Sequence, residues 1–202
     1  MIQTINIGTT ANDGTGDTVR NAFDKVNDNF IEVSKGLYAQ TALSTPVVYA
    51  SGEASLIGNG VGSLSVPANS FKVGDSFTAK MCGNLSCANN QQIRIRIKSD
   101  ENVIGDLGIF EMNTTTDKFF ELFIDFTIAE IGEAGVAELF VNGQYSYNQD
   151  TAGVLQGSNF ALISNTTFDT TVLNDLSITA QWVTSNVTNT IQSQNFVLTK
   201  VY

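Results

Sequence analysis

The ten residues Phe119-Phe120-Glu121-Leu122-Phe123-Ile124-Asp125-Phe126-Thr127-Ile128 decide the fold class of this chain. Apolar side chains recur at every second position, the period of an extended strand, so Phe120, Leu122, Ile124, Phe126 and Ile128 share one face. Phe119, Glu121, Phe123, Asp125 and Thr127 take the other. A strand with one wholly apolar face belongs to a sheet packed on a core. Two phenylalanines on its second face are more apolar area than a monomer usually leaves uncovered. Phe119 and Phe123 are therefore expected under the second sheet or against a neighbouring subunit.

The same grammar extends from Pro46 to the C-terminus. Short β-branched and aromatic runs alternate with Gly, Asn, Asp and Ser clusters, at Val47–Tyr49, Leu64–Val66, Ser76–Met81, Gln92–Lys98, Val136–Val141, Gln144–Tyr147, Phe160–Ile163, Leu176–Val183 and Phe196–Tyr202. In Ile93-Arg94-Ile95-Arg96-Ile97-Lys98 the isoleucines point one way and the bases the other. Asn142-Gly143, between two apolar runs, predicts a two-residue type I′ hairpin turn. Leu176, Ile178, Ala180 and Trp182 share a face, which makes the single Trp a core residue, with a sugar-stacking platform as the other reading. With no helical period after Pro46, the expected fold is mainly β, an antiparallel sandwich of roughly eight to ten strands, a jelly roll in preference to a barrel. The chain is expected to end within its last strand.

The N-terminal fifth is built differently. Asn12-Asp13-Gly14 and Thr15-Gly16 carry turn chemistry, and Asp17 or Thr18 can cap a helix running to about Lys35, with Gly36 at its C′ position. Val19, Phe23, Val26, Phe30, Val33 and Leu37 recur at alternating spacings of four and three, an a/d seam. The seam is under three heptads, and the flanking positions, among them Arg20, Asn27 and Asn29, carry little complementary charge, so it needs a partner or the following domain. Asp24, Asp28 and Glu32 form a repelling stripe, read either as a solvated face or as a face for a basic surface. The expected division is an anchoring segment and helix at 1–37, a linker at 38–45 and the sandwich at 46–202.

Ile5-Asn6-Ile7-Gly8, then Asp13-Gly14-Thr15-Gly16-Asp17, then Arg20, Ala22-Phe23, Lys25-Val26-Asn27 and Asn29-Phe30 resemble the N-terminal segment shared by many structural proteins of tailed-bacteriophage virions, fibres and capsid-bound appendages included. The resemblance implies a virion location and attachment to a capsid or other virion protein through Ile5, Ile7, Gly8, Gly14, Gly16, Asp17, Arg20, Phe23, Val26, Asn27 and Phe30. A second set of words is similar to the tumour-necrosis-factor-like jelly rolls of phage and large-virus particles. These are Gly52-Glu53-Ala54-Ser55-Leu56-Ile57-Gly58-Asn59-Gly60-Val61-Gly62-Ser63, Val66-Pro67-Ala68-Asn69, Gln181-Trp182 and Asn189-Thr190-Ile191. That similarity implies a homotrimer, and Phe119 and Phe123, turned outward by the strand alternation, are its expected interface. The function implied is a homotrimeric head-fibre or decoration-type appendage. The alternative is a receptor- or glycan-binding tip with aromatics such as Tyr145, Tyr147 or Phe168 in loops.

Composition narrows the chemistry. At 202 residues, 42% hydrophobic and 15% charged, one domain plus an appendage is the natural count. A net charge of −10 without a Lys/Arg cluster argues against nucleic acid and anionic membranes as partners. No secretory signal or membrane-spanning run is visible, so Cys82 and Cys87 are expected reduced, a small disulfide loop being the open alternative. The sequons at Asn84, Asn113, Asn165 and Asn186 are then expected unused.

The chain has no His, which removes the commonest general base and metal ligand, and no enzyme or cofactor is expected. Glu121 with Asp125, and Asp100-Glu101, are carboxylate pairs expected to solvate a sheet or pair with Arg94 and Arg96. Gly58–Ser63 lacks the Lys-Ser/Thr of a phosphate loop and reads as a turn. Asn12–Asp17 offers oxygen ligands for calcium but no bidentate Glu, so capping and turn geometry is its other reading.

Overall fold

The computed structural model describes residues 2–160 and 165–201. Two compact units follow one another along the chain, Met1–Lys35 and Gly36–Tyr202. The first is an extended segment followed by helix α1 (Val19–Ser34), none of whose residues is buried. Thr18 caps it, its hydroxyl accepting the Asn21 N–H at 3.2 Å. Gly36 stands just past its end at φ +61°, the left-handed stop expected there.

The second unit contains strands β1 (Tyr38–Gln40), β2 (Val47–Val48), β3 (Ala54–Ser55), β4 (Gly60–Gly62), β5 (Ser65–Val66), β6 (Ser76–Cys87), β7 (Gln91–Ser99) and β8 (Asn102–Asp106). They are followed by β9 (Phe110–Met112), β10 (Thr115–Ile131), β11 (Val136–Asn148), β12 (Leu155–Phe160), β13 (Asn165–Asp169), β14 (Asn174–Trp182) and β15 (Thr190–Lys200). A nine-stranded antiparallel sheet runs β12-β11-β10-β6-β15-β1-β4, with β13 on β11 and β2 on β15. A six-stranded antiparallel sheet runs β3-β14-β7-β8, with β5 on β14 and β9 on β7. The two form a sandwich-like arrangement around one core. Phe120, Leu122, Ile124, Phe126 and Ile128 all point into it, none more than 8% exposed. Ile93, Ile95 and Ile97 answer them from the smaller sheet. Trp182 is buried too, its indole N–H donating to the Val47 carbonyl at 3.0 Å, so the core reading holds and the platform reading does not.

Several expectations change. Asn142-Gly143 is not a hairpin turn: β11 runs straight through it, with Asp125 opposite Asn142 and Ile124 opposite Gly143. The inward alternation Ala137, Leu139, Val141, Tyr145, Tyr147 stays in phase across Gly143, and ladders on both sides, to β10 and β12, outweigh the local turn preference. The reversal lies earlier, at Glu133–Gly135, where Ala134 and Gly135 take φ of 61° and 77°. Residues 38–45 are not a linker, because Tyr38 and Ala39 pair with Leu198 and Val197 while Ser44 is buried and its hydroxyl receives the Ser193 N–H at 2.9 Å. The run Gly58–Ser63 is not a turn: its middle, Gly60–Gly62, is the edge strand β4, paired to β1. Of the strand expected at Phe160–Ile163, residues 161–164 lie outside the described residues.

A void of about 20 Å³ remains between the sheets, lined by Phe71, Phe77, Phe126 and Phe168 among others. It has room for about one water-sized molecule. The Tyr145 hydroxyl is fully buried with no hydrogen-bond partner among the described residues, and burial, with Tyr147 and Cys87 nearby, pushes its pKa well above the ordinary value.

Candidate functional site

The N-terminal unit is held by polar side chains. The backbone N–H groups of Thr9 and Thr10 and the Thr9 hydroxyl donate to one oxygen of Asp13, at 2.7–2.8 Å. The Thr15 N–H and hydroxyl donate to the other, at 2.9 and 2.8 Å. Gly8 (φ +79°) lies against this carboxylate, where an added Cβ would sit 2.7 Å from Oδ1. The Asp17 carboxylate accepts from Asn6 N–H and from Lys25 Nζ, both at 2.7 Å, and Lys25 also reaches the Thr4 carbonyl. The Asn29 amide accepts from the Gln3 N–H at 2.6 Å and donates to the Gln3 carbonyl at 2.9 Å, reading extended backbone as a neighbouring strand would. The extended segment is thus laid along the Lys25, Asp28 and Asn29 side of α1.

This arrangement sorts the recognised residues into two groups. Gly8, Gly14, Gly16 and Asp17 build the unit: Gly8 and Gly14 have positive φ, and a Cβ on Gly16 would meet the Asn6 carbonyl at 3.0 Å. Asp13, Lys25 and Asn29 belong with them and were not singled out as site residues, although the Asn-Asp-Gly turn signal pointed at Asp13. Ile7, Arg20, Phe23, Asn27 and Phe30 face outward, while Ile5 and Val26 are half-buried. Val19, Phe23, Phe30 and Val33 are 75%, 64%, 67% and 52% exposed, so the apolar seam lies on the side of α1 that the extended segment leaves free.

Part of the acidic stripe has partners within the unit: Asp28 accepts from the neutral Gln3 amide at 2.6 Å, and Glu32 pairs with Lys35 at 3.4 Å. The calcium reading of Asn12–Asp17 also fails. N–H and O–H donors point at both Asp13 oxygens, the opposite of what a cation requires, and among the described residues no acidic, Cys or His cluster is placed to hold a metal.

Hydrogen bonds from Thr9, Thr15 and Thr10 hold the Asp13 carboxyl far below the usual carboxylate range, and Lys25 followed by the Asn6 N–H lowers Asp17. Depressed values in the folded state mean that the stabilising contribution is complete above the unfolded pKa of about 3.9 and fades only as pH falls through the lower folded value. At about pH 3, where an ordinary Asp is largely protonated, the Thr9, Thr10 and Thr15 amides should keep their native NMR shifts. Asp13→Ala should shift them at every pH; wild-type shifts collapsing already near pH 4 would contradict this account.

On the β unit, Phe119 and Phe123 are each 40% exposed on the outer face of the larger sheet, so the smaller sheet does not cover them. Glu121 and Asp125 flank Phe123, and Asp125 accepts from the Thr78 hydroxyl at 2.6 Å. Arg94 and Arg96 do not meet these carboxylates, because β7 lies in the other sheet. Arg94 grips Asp106 with Nε at 3.0 Å from both oxygens, and Arg96 and Lys98 share Glu53, the latter at 2.8 Å. Tyr145, Tyr147 and Phe168 are no more than 3% exposed, so none is a loop platform for a sugar. Cys82 and Cys87 are free thiols, five residues apart on β6 and hence on opposite faces.

Together these features define a two-part chain: a polar-clasped helical unit with an uncovered apolar seam, followed by an antiparallel β-sandwich. No family model, curated protein or solved structure matches the chain.

Proposed function

We propose that the chain is a structural component of a tailed-bacteriophage virion, a homotrimeric appendage of the head-fibre or decoration type. Its N-terminal unit attaches to a capsid or other virion protein, and its β-sandwich projects from the particle. The observation that carries this reading is the seam: a unit that satisfies its polar groups internally and leaves Phe23 and Phe30 in solvent has made a binding surface without a core. Val19, Phe23, Val26 and Phe30 have the spacing of a helix laid in an apolar groove.

Strand order supports the jelly-roll part of the reading. β1-β15-β6-β10 in one sheet and β3-β14-β7-β8 in the other follow the wrapped order of paired Greek keys, with β11, β12 and β13 added beyond β10. In the trimer, Phe119, 40% exposed on the outer face of the larger sheet, is the apolar area that copies share. The reading is tested by deleting residues 1–35, which leaves every strand intact. The truncated chain should stay folded and soluble and be missing from assembled particles by mass spectrometry. Normal occupancy would place attachment in the sandwich.

A further inference from the structure

Phe123 stands at the centre of the outer face of the nine-stranded sheet as a wall between two recesses. On the β6 and β15 side, Lys80 Nζ lies 4.7 Å from the ring centroid and occupies that flank. The other flank opens onto a recess of about 280 Å³, lined by Asp125, Asn142, Gly143, Gln144 and Asn159. Register explains the grouping: Phe123, Gln144 and Asn159 form one row across β10, β11 and β12, and Asp125 and Asn142 form the next.

The amides here differ from many others in the molecule. Asn29, Asn84, Asn113, Asn174 and Asn189 all use their side chains in hydrogen bonds within the protein. Among the described residues, the Asn142, Gln144 and Asn159 side chains have no such partner. Each amide offers both donor and acceptor groups, the valence of a sugar hydroxyl, and the free side of an aromatic ring accepts the C–H face of a pyranose. Glu121 and Asp125 on the same face disfavour an anionic ligand.

We propose that this recess binds a neutral glycan chain, with Phe123 as the stacking platform and Asn142, Gln144 and Asn159 as its hydrogen-bonding rim. The site does not depend on the virion reading, because every residue of it belongs to the β unit and none to the helical unit. The competing occupant of Phe123 is a neighbouring copy of the chain, which would bury the ring against protein.

The full chain should be tested on immobilised neutral oligosaccharides of glucose, galactose, mannose and N-acetylglucosamine, with polygalacturonate as the anionic control. The expected result is binding to at least one neutral glycan, little affected by salt. Phe123→Ala should weaken that binding by about tenfold or more, and Asn142→Ala and Gln144→Ala by several-fold each. Phe123→Gln, which places a polar side chain of intermediate size at this exposed position, guards against misfolding of the alanine variant and should show the same loss. Retention on polygalacturonate alone, or on none of the glycans, overturns the proposal. So does a change in sedimentation of Phe123→Ala without a change in glycan binding, which would assign the ring to a subunit contact. Normal incorporation of Phe123→Ala into particles, alongside lost glycan binding, separates this site from the attachment function.

Discussion

Phe23→Ala and Phe30→Ala should remove the chain from assembled particles while leaving the melting temperature of the β-sandwich where it is. Both rings are largely in solvent, 64% and 67% exposed, and no residue of α1 is buried, so truncation takes away no core packing. The folding cost should stay within about 0.5 kcal/mol, as for other surface substitutions. Alanine is also the better helix former, so α1 itself is not weakened. A large apolar anchor in a docked helix typically contributes about 2 kcal/mol or more to binding, a loss of roughly thirtyfold in affinity for each ring. Asp24→Asn, off the seam, should cost less than about 0.5 kcal/mol on either measure. Thermal melts and particle occupancy by mass spectrometry, run on the same variants, decide the matter. A lowered melting temperature with intact occupancy for Phe30→Ala would place the helix in the domain core and remove the distinction between anchor and projecting domain.

What sequence alone could reveal depended on whether burial left a periodic mark. β10 was legible because one side of it is buried from Phe120 to Ile128, and the alternation of that stretch records it directly. The helix was legible from its period as well, although Phe23 and Phe30 on its seam are exposed. β1 left no such mark: Tyr38-Ala39-Gln40 is too short to show a period, and its place is fixed by partners more than a hundred and fifty residues away, near Leu198. Asn142-Gly143 misled because the dipeptide states a local preference, while strands on both sides settle the outcome. The polar clasp of the N-terminal unit was half visible. Turn chemistry around Asp13 could be read, but the pairing of Asn29 with Gln3 and of Lys25 with Asp17 depends on the segment folding back, which no period encodes.

Gly62→Ala should be among the most damaging substitutions of a small residue in the β unit. Gly62 has φ +95°, a conformation that an L side chain resists, and an added Cβ would lie 2.1 Å from the Leu37 carbonyl oxygen. The two neighbouring alternate positions are equally tight, with a Cβ on Gly60 falling 2.2 Å from the Ala39 carbonyl and one on Gly58 falling 2.3 Å from that of Ala42. Close approach of β4 to β1 therefore requires glycine at every second position, which gives the run Gly58-Asn59-Gly60-Val61-Gly62 a structural reason unrelated to phosphate binding. Backbone is the obstacle in each case, so no side-chain rotation relieves it. Strain and clash together should cost on the order of 3 kcal/mol, or roughly 10 °C in melting temperature for a unit of this size. Val61→Ala, between the glycines and 62% exposed, should cost less than about 0.5 kcal/mol and serves as the control. Hydrogen exchange should show where the damage falls: the amides of β1 and β4 should lose protection in Gly62→Ala while those of β10 keep it. If Gly62→Ala melted with the wild type, β4 would not be seated on β1 as described, and the sheet would end at β1.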